Sequence, residues 1–200
     1  MPLDPQLVIM AKRPEIGRVK TRLARDIGAA EALRFFRGAS ASLIRRIARD
    51  PRWQTVIAVA PDNATHDRGI WPSDIPRVPQ GAGDLGARMG RLFLELPPGP
   101  VVIVGADIPD IARAHIASAF AALGSHDAVL GPADDGGYWL VGLRRRPRIA
   151  EIFANVRWSS EHTFADTAKN IRRQELSLAV LDTLGDIDTG ADFSKWRQKR

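Results

Sequence analysis

The chain has 200 residues and a formal net charge of +6; 44% of its residues are hydrophobic and 26% are charged. This length and composition are typical of a single core, so we expect one domain over residues 1–200. The absence of cysteine excludes a disulfide framework, a thiolate zinc site and a cysteine nucleophile. No apolar run is as long as a membrane span, the first residues do not resemble a signal peptide, and the basic runs lack an aromatic platform for nucleic acid. We therefore expect a cytoplasmic protein that binds neither membranes nor nucleic acid, and we predict no particular oligomeric state.

Short apolar runs rich in Val, Ile and Leu alternate with segments of helical periodicity. Because these runs do not alternate with polar residues, they are typical of strands covered on both faces, and the order predicts an α/β sheet that is mainly parallel. Predicted strands span 7–11, 55–60, 101–105, 128–131, 138–143 and 176–181, and predicted helices span 28–50, 84–96, 111–123 and 161–174. The strands at 128–131 and 138–143 are too close for a crossover helix, so a mixed sheet is expected. The proline-rich stretches 71–79 and 97–100 are predicted loops, and basic runs such as 144–146 are predicted solvated faces.

The loop after the first strand combines basic side chains with the start of a helix. Its basic residues before the helix are Lys12, Arg13, Arg18 and Lys20. The N–H groups and dipole of a helix N-terminus attract anions, and lysine or arginine neutralises them, so the loop favours phosphate binding. It is not a P-loop, because two residues separate Gly17 from Lys20. An ordinary solvated basic turn is the alternative interpretation.

Acidic residues follow later strands. Asp107 lies at the tip of the buried strand 101–105, where it could hold a divalent ion that bridges phosphates or cap the turn before Pro109. Asp188 could supply a second carboxylate to that ion or cap a helix. The segment 134–137 has the composition of a hairpin turn, which could also present Asp134 or Asp135 to the pocket of Asp107.

Five motifs together resemble a known family. They are Lys-x-Pro-x-x-Gly-x-x-Lys-Thr-Arg (12–22), Gln-x-x-Gly-Asp-Leu-Gly-x-Arg-Met (80–89), Gly-x-Asp-x-Pro (105–109), Gly-Pro-x-x-Asp-Gly-Gly-Tyr-x-Leu (131–140) and Asp-Ile-Asp-Thr (186–189). This order resembles bacterial glycosyltransferase-like proteins of the GT-A nucleotide-diphospho-sugar transferase superfamily. The sequence is also similar to the 2-phospholactate and molybdenum-cofactor guanylyltransferases of the same superfamily in size, in the early Lys/Arg loop and in the aspartate at the strand end. The resemblance covers residues 7–193 and implies a Rossmann-like GT-A fold, a three-layer α/β/α arrangement around a mixed, mainly parallel sheet.

The resemblance also implies roles for individual residues. The implied catalytic residues are Lys20, Arg22 and Asp107, and Asp107 and Asp188 are the implied ligands of Mg²⁺ or Mn²⁺. The implied nucleotide-binding residues are Ala11, Lys12, Gly17, Lys20, Thr21, Arg22, Gln80, Gly83, Asp84 and Gly105. The implied acceptor-binding residues are Asp134, Asp135, Gly136, Gly137, Tyr138 and Trp158. The segment 10–14, Met-Ala-Lys-Arg-Pro, departs from the Leu-Ala-Gly-Gly start of well-defined guanylyltransferases, so base specificity is not implied.

The expected function is a metal-dependent nucleotidyltransferase. It would move a nucleoside monophosphate from a nucleoside triphosphate to a small phosphorylated or hydroxylated acceptor and release pyrophosphate. A glycosyltransferase that uses a nucleotide sugar is the main alternative, although an Asp-x-Asp motif occurs at 186–188 rather than at Asp107. A catalytically silent nucleotide-binding module is the third possibility.

Overall fold

A seven-stranded sheet organises the protein in this computed structural model, which describes residues 3–198. Its strands are β1 (Gln6–Lys12), β2 (Gln54–Ala60), β3 (Arg77–Pro79), β4 (Val101–Gly105), β5 (Ala128–Pro132), β6 (Tyr138–Leu143) and β7 (Leu178–Val180). The order across the sheet is β3-β2-β1-β4-β6-β5-β7. β6 pairs antiparallel with β4 and β5, whereas the other pairings are parallel. The predicted mixed, mainly parallel sheet is confirmed.

Helices cover both faces of the sheet. They are α1 (Thr21–Ile27), α2 (Ala29–Ile47), α3 (Leu85–Glu95), α4 (Arg113–Ala122), α5 (Thr163–Arg173) and α6 (Gly190–Gln198), with a short 3₁₀ helix at Asp62–His66. Along β1, Leu7 and Ile9 pack with α2 and α4, while Val8 packs with α3 and α5 on the opposite face. This period-two alternation between two apolar layers explains the continuous apolar runs and confirms the three-layer α/β/α arrangement.

α1 begins at the expected helix start after the basic loop, and α2 lies within the predicted helix 28–50; Gly28, whose φ of 85° breaks the helical backbone, separates the two. Two other features differ from the sequence-based expectation. β3 lies inside the stretch 71–79 that was predicted to be a loop, because three residues at a sheet edge are too few to show a periodicity. The run at 144–146 is not simply a solvated face: Arg145 donates hydrogen bonds to the carbonyl oxygens of Leu96 and Pro97, just beyond the end of α3.

The topology brings the important loops to one end of the sheet. The parallel strands β1, β2, β3 and β4 all end there, and β6 runs the opposite way, so the turn between β5 and β6 lies at the same end. In open α/β sheets this end collects ligands. Among residues 3–198, no helix is both long enough and apolar enough to cross a bilayer.

The turn between β5 and β6 depends on a glycine that packs against the segment before α5. Gly136 has a φ of 82°, and a Cβ there would lie 2.4 Å from the carbonyl oxygen of Glu161. We expect Gly136→Ala to destabilise the fold by about 2–4 kcal/mol, because backbone strain adds to a clash with main-chain atoms. Gly17→Ala is the matched control, since Gly17 has a φ of 74° but open space around it. It should cost only about 1 kcal/mol in urea unfolding, and equal losses for the two variants would contradict this explanation.

Candidate active site

A cavity of about 600 Å³ opens at the carboxyl ends of β1 and β4. Nine of the residues that the sequence analysis selected line it, namely Ala11, Lys12, Lys20, Thr21, Arg22, Gln80, Asp107, Asp135 and Asp188. These residues come from five separate segments of the chain, and the sheet topology brings their loops together. The cavity is therefore the candidate active site.

Lys20 lies at the centre of the charged groups. Its Nζ is 2.9 Å from Asp107 Oδ2, 2.9 Å from Asp188 Oδ1 and 3.8 Å from Asp186 Oδ2, and its side chain is only 3% exposed. Burial lowers the pKa of Lys20, but the charges and hydrogen bonds of Asp107 and Asp188 more than compensate, so the net pKa is raised. Lys20 therefore carries its positive charge throughout the neutral range.

The backbone at Lys20 has an uncommon conformation. Lys20 precedes α1 as its N-cap residue, with φ 45° and ψ 47° in the left-handed region. A non-glycine residue in this region is strained, and such strain persists only where the surrounding structure imposes it. The loop thus holds Lys20 at the start of α1, in contact with the carboxylates of Asp107 and Asp188.

Asp186 is a member of the site that the sequence analysis did not select as a site residue. Burial raises the pKa of Asp186 to about 6; Lys20 opposes this shift, and the charges of Asp188, Asp135 and Asp107 add to it. The Asp-x-Asp spacing at 186–188 was the signal that could have identified it. At neutral pH the site therefore concentrates more negative charge than Lys20 alone neutralises.

The raised pKa of Asp186 predicts a pH-dependent cost to stability. A carboxyl group with a raised folded-state pKa binds more protons when folded, so it lowers stability as the pH rises from about 4 to about 6. We expect Asp186→Asn to stabilise the protein at pH 7.5 on the order of 1 kcal/mol, and by less at pH 5. The gain is limited because 31% of the side chain is exposed. Thermal unfolding of wild type and Asp186→Asn at pH 7.5 and at pH 5 measures this gain in stability. Asp188→Asn is the comparison and should destabilise, because it weakens the 2.9 Å ion pair with Lys20.

Positive charge is in excess around the cavity. Five cationic side chains line it, Lys12, Arg18, Lys20, Arg22 and Arg88, against the carboxylates of Asp107, Asp135 and Asp188. Arg18 and Arg22 are 75% and 66% exposed, and their ion pairs with Glu15, at 3.2 Å, and Asp188, at 3.7 Å, lie at the surface. Arg18 belongs to the basic loop that was predicted to bind phosphate and Arg88 to the motif at 80–89, but neither residue had been given a role in the site. This charge pattern is suited to an anionic ligand.

Gln80 shapes the side of the cavity nearest β2 and β3. Its Nε2 donates hydrogen bonds to the carbonyl oxygens of Ala11, at 3.1 Å, and Ala58, at 2.9 Å, and the residue is 4% exposed. These two bonds use both amide hydrogens and fix the side chain at the ends of β1 and β2. Gln80 is therefore a rigid part of the wall.

The acidic side chains fit the metal role that the resemblance implies. Among residues 3–198, no group of three or more His, Asp or Glu side chains is arranged to hold a metal ion by itself. Mg²⁺, however, is commonly held by one or two carboxylates together with substrate phosphates. Asp107 and Asp188 supply two such carboxylates, about a third exposed to the cavity.

Several predicted residues lie outside the cavity lining. Asp84 is the N-cap of α3 and accepts a hydrogen bond from the Ala87 N–H at 2.8 Å. Asp134 packs against Gly185. The other predicted residues outside the lining are Gly17, Gly83, Gly105, Gly136, Gly137, Tyr138 and Trp158. Gly137 still supports the site, because its N–H donates to Asp135 Oδ1 at 2.9 Å.

Tyr138 and Trp158 are placed differently from the expected acceptor wall. Their rings meet edge to face with centroids 6.5 Å apart, and both pack against the apolar layer of α3 and α5. Trp158 also lies directly over Gly86, where a Cβ would be 2.6 Å from its ring. The positions of Tyr138 and Trp158 are therefore better explained by burial of their rings against a helix than by contact with a ligand. Ser159, the neighbour of Trp158, lines the cavity instead.

Solved structures with the same fold include nucleotide transferases. A protein from Desulfovibrio desulfuricans G20, provisionally assigned as a nucleotide-diphospho-sugar transferase, is 28% identical, has a TM-score of 0.89, and is matched over 98% of this chain and 87% of its own. CMP:2-keto-3-deoxy-manno-octonic acid synthetase, solved with CTP, is 9% identical with a TM-score of 0.61 over 98% of both chains. Rv0371c from Mycobacterium tuberculosis H37Rv, solved with manganese, is 14% identical with a TM-score of 0.55 over 98% of both chains.

The sequence itself matches one protein family. No curated protein matches the chain. Residues 43–160, more than half of the chain, match the family described as "Uncharacterized protein conserved in bacteria" (DUF2064). Together with the fold of nucleotide-diphospho-sugar transferases and nucleotidyltransferases, this match confirms the expected resemblance. The chain belongs to the DUF2064 family.

Proposed function

We propose that this protein is a cytoplasmic, metal-dependent nucleotidyltransferase. It would transfer a nucleoside monophosphate from a nucleoside triphosphate to a small hydroxylated or phosphorylated acceptor and release pyrophosphate. The observation that carries the proposal is the convergence of five cationic side chains with Asp107 and Asp188 in one cavity at the carboxyl ends of the strands. Transfer of a phosphoryl group needs mainly positioning and charge stabilisation, which this set of side chains can supply.

The cations have distinct proposed tasks. Lys12, Arg18 and Arg22 are mostly exposed at the cavity and would neutralise the triphosphate as it binds. Lys20 is buried and would act next to the reacting phosphates. In the reaction, an acceptor oxygen bonds to the α-phosphorus while the bond from that phosphorus to the bridging oxygen breaks, and pyrophosphate leaves with the bond electrons. A phosphate acceptor attacks through a charged oxygen, whereas a hydroxyl acceptor would release its proton to water. Lys20 and Arg22 would stabilise the charge that develops on the phosphate oxygens.

Asp107 and Asp188 would hold the divalent ion, Mg²⁺ or Mn²⁺. Such an ion would act as a Lewis acid and reduce the negative charge on the phosphate groups. The CTP in the synthetase and the manganese in Rv0371c support a nucleotide and a divalent ion as ligands of this fold. Asp135 and Ser159 also line the cavity and would contact the acceptor.

Ligand-induced thermal stabilisation tests this function without knowledge of the acceptor. The protein is heated with each nucleoside triphosphate and with nucleotide sugars, each with and without Mg²⁺ or Mn²⁺. A triphosphate present at 100 times its Kd should add about 2.7 kcal/mol. Metal-dependent stabilisation by one triphosphate supports nucleotidyl transfer and identifies the base for an acceptor screen that follows pyrophosphate release. No stabilisation by any nucleotide would contradict an enzyme of either kind.

Glycosyl transfer from a nucleotide sugar is the second candidate. The assignment of the D. desulfuricans protein, at 28% identity, favours it. The Asp-x-Asp pair Asp186 and Asp188 near Lys20 could hold a metal on a diphosphate leaving group. Stabilisation by nucleotide sugars alone, without a response to triphosphates, would favour this reaction over nucleotidyl transfer.

A further inference from the structure

The ammonium group of Lys20 lies between the two carboxylates that would hold a divalent ion, those of Asp107 and Asp188. One nitrogen atom contacts both Asp107 Oδ2 and Asp188 Oδ1 at 2.9 Å. The lysine side chain is 3% exposed, whereas the two carboxylates are 36% and 31% exposed. Lys20 thus contacts the two carboxylates from the buried side, and the carboxylates remain partly exposed to the cavity.

Lys20 and a divalent cation would compete for the carboxylates of Asp107 and Asp188. A divalent cation held by Asp107 and Asp188 would lie beside an ammonium group that is hydrogen-bonded to the same carboxylates. Like charges at such short range repel strongly in a partly buried site. Arg22 does not present the same conflict, because it is 3.7 Å from Asp188 and 66% exposed, so it can turn away into solvent.

We propose, on the basis of the proposed function, that Lys20 and the divalent cation are alternative partners of Asp107 and Asp188. In the nucleotide-free protein, Lys20 neutralises and holds the two carboxylates. When the nucleotide arrives with its metal, the ammonium group of Lys20 leaves the carboxylates and pairs with phosphate oxygens. Lys20 is then a positioning residue in the free state and a phosphate ligand in the bound state. The site would favour the metal–nucleotide complex over the metal alone.

Direct binding of Mn²⁺ to the nucleotide-free protein tests the exchange. The electron paramagnetic resonance signal of free Mn²⁺ is titrated with wild type, Lys20→Met and Lys20→Arg. Lys20→Met removes the competing charge, so we expect it to bind Mn²⁺ at least tenfold more tightly than wild type. Lys20→Arg retains the charge and should bind as weakly as wild type. Arg25→Gln is the control for an exposed cation of α1 that does not line the cavity, and it should change Mn²⁺ affinity less than threefold.

Thermal unfolding gives a second readout. Loss of the lysine leaves the carboxylates without their partner, so Mn²⁺ should raise the Tm of Lys20→Met more than that of wild type. If Lys20→Met does not fold in metal-free buffer, the proposal requires Mn²⁺ to restore its folding. Failure of that rescue would overturn the exchange.

The outcomes separate this inference from the proposed function. The exchange is overturned if wild type and Lys20→Met bind Mn²⁺ with equal affinity. The proposed function still stands in that case if wild type binds Mn²⁺ tightly when a nucleoside triphosphate is present. No Mn²⁺ binding by either protein, with or without any nucleoside triphosphate, overturns both.

Discussion

Replacing Asp107 by asparagine is expected to abolish metal-dependent stabilisation by the nucleotide. It should also slow pyrophosphate release by roughly 10²- to 10³-fold with any acceptor that wild type uses, by analogy with the loss of one charge-stabilising group in other active sites. The reason is that Asp107 is the carboxylate at the end of β4 that both faces the cavity and contacts Lys20. Asparagine has nearly the same shape but cannot neutralise a cation. Thermal shift and a coupled pyrophosphate assay measure the two effects.

The control for this substitution is Asp110→Asn. Asp110 lies three residues further along the same loop, is exposed, and does not line the cavity. It should retain the wild-type response to nucleotide and metal. If Asp107→Asn turns over within a few-fold of the wild-type rate, the assignment of Asp107 to the metal site and to the proposed mechanism is wrong.

Replacing Lys20 by methionine is expected to destabilise the metal-free protein at neutral pH by about 3 kcal/mol. Methionine retains much of the apolar side chain but removes the charge that Asp107 and Asp188 share, leaving partly buried carboxylates to repel one another. For a chain of this length, such a loss lowers the Tm by roughly 6–12 °C. Urea and thermal unfolding in metal-free buffer provide the measurement.

Lys12→Met is the matched control for Lys20→Met. Lys12 lines the same cavity but is exposed, so its removal should change stability by less than about 0.5 kcal/mol. An equal loss of stability in Lys12→Met and Lys20→Met would contradict the role of the buried ion pairs of Lys20.

Much of the fold followed from local patterns in the sequence. The apolar runs of β1, β4 and β6 are buried on both faces, so their composition identifies them without knowledge of the partners. The short interval between β5 and β6 required an antiparallel pair, as the structure shows. β3 gave no such pattern, because its three residues are held at the edge by pairing with β2.

The candidate site was partly predictable for a topological reason. Lys20, Asp107, Asp135 and Asp188 each follow a strand or belong to a strand-end loop, and parallel strands bring such loops to one edge of the sheet. Which groups touch could not be predicted. The direct pairing of Lys20 with Asp107 and Asp188 depends on the left-handed backbone at Lys20. The sequence likewise could not show that Trp158 would pack on α3, since a tryptophan near a loop suits a ligand pocket and an apolar layer equally well.

The order of the strands divides the sheet into two parts along the chain. β1 to β4 come from residues before 106 and β5 to β7 from residues after 127. Within residues 3–198, strands of the two parts pair with each other only where β4 meets β6. Lys20 and Asp107 lie in the segments that follow β1 and β4 of the earlier part, whereas Asp135 and Asp188 lie in the segments that follow β5 and β7 of the later part. A ligand that contacts all four residues would therefore connect the two parts across this junction. Amide hydrogen exchange at Val104 and Leu140, which face each other there, should slow when that ligand binds, because opening the junction would then also require its release.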